Sequence, residues 1–275
     1  MQRLPTQFDP ETSHQLERLA ARAWPADEVQ QVEGWLLRRT VGVDRRRCNS
    51  LLPPADSLAA VRTLELALAT AEKLGVAAVI QVSPAEAHRP LDEALEDRGM
   101  AFGDPSLVLA GPLRAQAAVA ADITIQIREG PPEPGPVASP PAFAVQLGDL
   151  DDEWVEAWTE VSGTDGTRAT ADLVLSQLGD RARFAIAVDA PSSVPLGVGI
   201  GVAEKGWLGL FSLAVTPAAR HQGIASAIVD ALEGWSATAG AERVYLQVEA
   251  DNAAALAFYA RRGFFIAHSY HYRSA

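Results

Sequence analysis

Residues 215–225 read Val-Thr-Pro-Ala-Ala-Arg-His-Gln-Gly-Ile-Ala. The stretch before them, Trp207 to Val215 (WLGLFSLAV), has the composition of a strand. After them Ile224, Ile228, Leu232 and Trp235 recur on one face of an amphipathic helix. Pro217 fixes the exit from the strand, Gly223 lets a ligand approach the backbone with no Cβ in the way, and Ala225 keeps the first turn narrow. Free amides at a helix start, backed by the helix dipole, suit a pyrophosphate, and Arg220 adds a fixed cation.

Upstream, Arg183 to Asp189 and Leu196 to Ala203 alternate as strands separated by turn residues, so with Trp207 to Val215 they form an antiparallel meander. Downstream, Gly240 ends the helix and Arg243 to Val248 reads as a strand, parallel to Trp207–Val215 in a βαβ unit. A shorter helix, Ala253 to Arg262, stops at Gly263, and Phe264 to Arg273 is a last strand. The fold class is α/β with a mixed sheet. Across the short helix runs a second pattern, Asn252-x-x-Ala255-x-x-Phe258-Tyr259-x-x-x-Gly263-Phe264.

The loop and this helix, in that order and at that spacing, resemble the GCN5-related N-acetyltransferase (GNAT) superfamily over about residues 143–275. The resemblance implies transfer of an acetyl group from acetyl-CoA to an amine by direct attack in a ternary complex. It also implies that the strands either side of the loop splay apart, so that backbone groups near Leu213 and Val215 hold the thioester and the pantetheine arm. Arg220, His221, Gln222, Gly223, Ile224 and Ala225 then bind the pyrophosphate, and Asn252 hydrogen-bonds the pantetheine. Tyr259 protonates the departing thiolate, and Arg261 or Arg262 reaches the 3′-phosphate. Many relatives carry a carboxylate on the strand before the loop, and Trp207–Val215 has none. Glu249, Asp251 and Glu204 are the candidate general bases, alongside an ordered water chain, and Glu249 is preferred. Two rivals stand beside this reading: a CoA-binding sensor or scaffold without turnover, suggested by the missing carboxylate, and a transferase that uses a longer acyl-CoA.

Composition narrows the rest. The chain has 275 residues, 48% apolar, with a net charge of −12, too apolar for a disordered chain and too acidic for phosphate-backbone binding. Nucleic acid is excluded as a partner, and Arg45-Arg46-Arg47 is read as a solvated face. The surplus of carboxylates is compatible with a cationic amine acceptor. Cys48 is the single cysteine, so neither an internal disulfide nor a multi-thiolate metal site can form. No metal site is expected, because His268 and His271, three apart on a strand, point to opposite faces. No run approaches the roughly 18 apolar residues of a membrane helix, so the expectation is a cytoplasmic protein without a membrane partner. Gly197, Gly199 and Gly201 lie inside a strand with no following helix, which favours close packing or substrate approach over a nucleotide loop. Trp154, Trp158 and Trp207 are core residues or acceptor-pocket walls.

The proline-rich stretch 129–141 (EGPPEPGPVASPP) divides the chain into expected domains 1–128 and 142–275. The first half repeats the order of the second. Ser50 to Pro53 matches the strand and loop proline, Leu58 to Leu74 the helix, Val79-Ile80-Gln81-Val82 the strand Tyr245-Leu246-Gln247-Val248, and Leu91 to Met100 the short helix. The chemistry is not repeated. Pro54-Ala55-Asp56-Ser57 has no Gly or Arg, Asp56 repels phosphate, and Leu95 stands in the tyrosine position. The expected architecture is therefore two GNAT-like domains, each a mostly antiparallel mixed sheet with flanking helices, of which the first is a degenerate copy.

Overall fold

A computed structural model describes residues 8–114 and 143–275. The proline-rich boundary falls outside the described residues. Contacts divide the chain into two compact units: residues 1–112, 168–178 and 243–275 form the first, and residues 113–167 and 179–242 the second. These differ from the expected 1–128 and 142–275, because the last 33 residues pack with the first half.

In the first unit the chain runs α1 (Pro10–Ala23), β1 (Glu28–Val32), β2 (Trp35–Arg39), β3 (Ser50–Leu52), α2 (Ser57–Leu74), β4 (Val79–Val82), α3 (Arg89–Glu96) and β5 (Ala101–Pro112). To these the end of the chain adds β10 (Arg243–Glu249), α7 (Ala253–Arg261) and β11 (Phe265–Ser274). Strands β1, β2 and β3 form an antiparallel meander, and β4 lies parallel to β3. Two crossovers then interleave. β11 pairs antiparallel with both β4 and β5, and β5 pairs antiparallel with both β11 and β10. Each crossover, β4-α3-β5 and β10-α7-β11, thus leaves a gap one strand wide that a strand of the other half fills. This is why a cut at the proline-rich stretch does not yield the compact units.

Helix α2 buries Ala60, Leu64, Ala67 and Ala71, the helical spacing that faces a sheet. They meet Trp35, Leu37, Leu51, Ile80, Val82, Leu91 and Leu95 in one core. The side chain of Asp56 caps α2, accepting from the amides of Leu58 (2.8 Å) and Ala59 (3.2 Å).

The second unit contains β6 (Phe143–Gly148), α4 (Asp152–Ser162), β7 (Ala182–Asp189), β8 (Pro195–Glu204), β9 (Trp207–Val215) and α6 (Ile224–Thr238), with α5 (Thr167–Leu173) straddling the unit boundary. Strands β7, β8 and β9 form the antiparallel meander read from the sequence, and β6 is added at its edge. Gly197, Gly199 and Gly201 seat α6. A Cβ on Gly199 would lie 2.8 Å from Ile228 Cγ2, and one on Gly201 3.0 Å from Leu232 Cδ2. The glycine stripe is thus close packing. Strand alternation puts Val198, Ile200 and Val202 on the opposite face, where Trp154 of α4 packs edge-on to Phe184 and within 5.1 Å of Trp158. Trp154 and Trp158 are core residues, 1% and 4% exposed, and Trp154 Nε1 donates to the Ala185 carbonyl at 3.1 Å.

Candidate active site

The loop between β9 and α6 is built from backbone conformation. Thr216 N–H bonds the Leu196 carbonyl (2.9 Å), Pro217–Ala219 make a 3-10 turn with Ala219 buried, and the chain then leaves the ordinary regions twice, at His221 (φ 64°) and Gly223 (φ 86°). Gly223 is the N-cap of α6, and no side chain caps this helix. The Gly223 carbonyl receives Ala227 N–H at 3.0 Å, while the amides of the first turn are left without an intrahelical acceptor, as at any helix start. Arg220, His221, Gln222 and Gly223 are exposed around that turn, and Ile224 is buried beneath it. Arg220 Nε approaches the Val215 carbonyl (3.4 Å), and Gln222 Nε2 donates to the Ala218 carbonyl (3.2 Å).

Just upstream, β9 carries a feature the sequence does not announce. The β8–β9 register skips a residue: Val198 pairs with Ala214 and Ile200 with Phe211, so Gly199 faces both Ser212 and Leu213. Ser212 takes φ 49°, a conformation rare for a residue with a Cβ. This is a β-bulge, which takes one residue out of the ladder and re-aims its neighbours. Leu213 and Val215, half-buried, lie on the stretch it turns. Nothing in the residue types signals it, because a bulge is a property of the pairing.

Glu249, Asn252 and Tyr259 belong to the first unit, on β10 and α7. Asn252 is the N-cap of α7, its Oδ1 accepting from Ala255 N–H at 3.0 Å. Its oxygen is therefore committed to the helix, and the Nδ2 amide is the group left to meet a ligand. Glu249 ends β10 exposed, and its carbonyl accepts from Asn252 N–H at 3.1 Å. Tyr259 is buried, edge-on to Phe258 (5.0 Å) and Phe264 (5.3 Å). Burial pushes its phenol well above the usual range, with Arg262 pulling weakly the other way, so it stays protonated at any physiological pH.

Glu204 leaves the set of bases: it faces Trp207 at the β8–β9 turn, the far end of β9 from the loop, and is paired with Arg181 at 3.2 Å. Of the two phosphate candidates Arg261 is exposed and Arg262 buried. His268 and His271 do go to separate partners, Glu17 (2.6 Å) and Asp92 (2.7 Å). Among the described residues no group of three or more His, Cys, Asp or Glu side chains is placed to hold a metal ion, and no helix is long and apolar enough to cross a membrane.

Residues 148–264 match the acetyltransferase (GNAT) family model. Over 259 residues, 94% of this chain and 96% of the other, the sequence is 27% identical to the uncharacterized N-acetyltransferase YobR of Bacillus subtilis. Two solved structures share the fold at low identity. A GCN5-related N-acetyltransferase from Kribbella flavida superposes with a TM-score of 0.60 at 14% identity, over 95% of each chain. A tandem GNAT protein from the clavulanic acid biosynthesis pathway gives 0.61 at 11%, over 94% of this chain and 87% of that one. The stretch that matches the acetyltransferase (GNAT) family model holds both the bulged strand and the amphipathic helix that opens on Gly223, and the relative matched over 94% of this chain is named an N-acetyltransferase; together they support a transferase.

Proposed function

We propose that the protein moves an acetyl group from acetyl-CoA to a primary amine, by direct attack of the amine on the thioester. The observation that carries the reading is the start of α6: a left-handed glycine, no side-chain cap, and Arg220 alongside. A polyphosphate is the ligand that such a turn accepts, through first-turn amides and the positive end of the helix dipole. The start of α2 makes the comparison internal, since there Asp56 already occupies the equivalent amides with a negative charge. That contrast supports the reading of the first half as a copy that has lost this chemistry.

In this reading Arg220 to Ala225 bind the pyrophosphate. Backbone groups of Leu213 and Val215, beyond the bulge at Ser212, take the pantetheine and the thioester. An amide directed at the developing oxyanion contributes about 3 kcal/mol in comparable acyl transfers. The Asn252 Nδ2 amide adds a contact to the pantetheine. Tyr259, held neutral by burial, gives its proton to the CoA thiolate as the carbon–sulfur bond breaks. Glu249, exposed at the end of β10, takes the proton from the attacking amine. Thiol release from acetyl-CoA over a panel of primary amines tests the reading: at least one acceptor is expected to give release that fails with Tyr259→Phe. Acetyl-CoA binding with no release on any amine would favour a sensor.

A further inference from the structure

In the first half, a histidine stands where Asn252 stands in the second. Counting from His88, Leu95, Gly99 and Met100 follow at 7, 11 and 12 residues; counting from Asn252, Tyr259, Gly263 and Phe264 follow at the same intervals. Each heads its short helix, His88 as the N-cap of α3 and Asn252 as that of α7. The side chains then part. Asn252 caps its helix, whereas His88 makes no capping bond and its ring, 0% exposed, turns back to the ends of β3 and β4. Those strands run parallel and pair at one position, Leu51 with Ile80. Pro53, Pro54 and Pro84, just past the strand ends, have no amide hydrogen with which to continue the ladder. Their carbonyl groups must be met by other donors.

His88 reaches two of them. Its Nε2 lies 2.8 Å from the Pro54 carbonyl and its Nδ1 3.1 Å from the Pro84 carbonyl. The Pro84 oxygen already accepts from the amides of Ala87 (3.2 Å) and of His88 itself (3.1 Å), so the bond that the ring adds is Nε2–H to Pro54. The carboxyl ends of neighbouring parallel strands are where α/β sheets take up ligands, and an extended arm with amide groups bonds to backbone groups of this kind. We propose that the first half keeps an acyl-CoA cleft at the ends of β3 and β4, and that the His88 ring closes it by taking the place of the pantetheine arm. The inference rests on the reading of Asn252 as a pantetheine contact and of the first half as a copy. It separates two causes of lost binding: Asp56, on the first amides of α2, turns away phosphate, and His88 excludes the arm.

Titration calorimetry with acetyl-CoA, on the full chain and its variants, tests the proposal. Asp56→Gly gives α2 an uncapped glycine start like that of α6 but leaves the ring in place, so it is expected to bind as many acetyl-CoA molecules as the natural chain. Asp56→Gly combined with His88→Gly is expected to bind one more. That added site should be about tenfold weaker than the site at α6, because the loop Pro54 to Ser57 holds no counterpart of Arg220. If the chain with His88→Gly does not fold, His88→Asn, which installs the residue of the second half, carries the test in the same Asp56→Gly background. The number of sites on the natural chain tests the reading of α6, and the site gained on removing the ring tests this one, so either can fail alone. The proposal is overturned if Asp56→Gly by itself gains a site, or if the folded double variant binds no more acetyl-CoA than Asp56→Gly.

Discussion

Tyr259 shows what a single residue can be asked to do. Its ring is clasped by Phe258 and Phe264, so replacing it by Phe removes the hydroxyl and little packing. Tyr259→Phe is expected to lower kcat by about a hundredfold or more, the range of a lost general acid, while the KM for acetyl-CoA changes little; steady-state kinetics on one competent amine reads both. Gly223 behaves differently. Nothing lies within 4 Å of a Cβ added there, yet φ is 86°, so Gly223→Ala meets no clash and costs about 1 kcal/mol of backbone strain. A melting curve should register that small loss, and acetyl-CoA affinity should fall by more than it accounts for. Both residues could be proposed from the sequence because the roles asked of them are local, set by backbone freedom and residue type. Ser212 was not, because only the pairing with β8 forces its positive φ.

Helices α2 and α6 compare two elements that follow a strand and a proline alike. Asp56 closes the first, and Gly223 leaves the second open. Asp56→Ala is expected to cost about 1 kcal/mol of stability, as for a lost N-cap, without altering turnover; a fall in turnover as large as that of Tyr259→Phe would contradict the division of roles. On β8, Gly199→Ala places a methyl group 2.8 Å from Ile228 Cγ2, an overpacking worth about 1–3 kcal/mol. Thermal melts should show it to be the most destabilising of the alanine substitutions along the stripe, since Gly197 and Gly201 leave 3.0 Å. The elements themselves were legible from periodicity. For the glycine stripe the sequence leaves close packing and substrate approach both open, and α6 is found as the packing partner because the stripe repeats at the strand period beneath its apolar face.

For the whole molecule, the interleaving of β4, β11, β5 and β10 is the feature least visible in sequence. Each strand has the same apolar pattern whichever neighbour it takes, and nothing in Phe265–Ser274 says that it pairs with Val79–Val82. The pairing has a polar clasp: Asp92 of α3 meets His271 Nε2 and Arg273 Nε of β11, each at 2.7 Å. Burial raises the Asp92 carboxyl, but hydrogen bonds from Arg273 and His271 outweigh it, and the pKa falls below its ordinary value of 3.8. A carboxyl depressed by folding stabilises above its unfolded pKa, and that stability goes as pH drops through the folded value. Melting temperatures measured from about pH 7 down to about pH 3 should therefore fall more steeply for the natural chain than for Asp92→Asn; parallel curves would remove the clasp from the account.

The central claim is that one acyl-CoA phosphate site exists, at the start of α6. Titration calorimetry with acetyl-CoA measures it most directly, on the natural chain and on Arg220→Glu. The account predicts one site per chain, strongly weakened by the reversed charge at Arg220. Two sites, no binding at millimolar ligand, or an affinity indifferent to Arg220→Glu would contradict it.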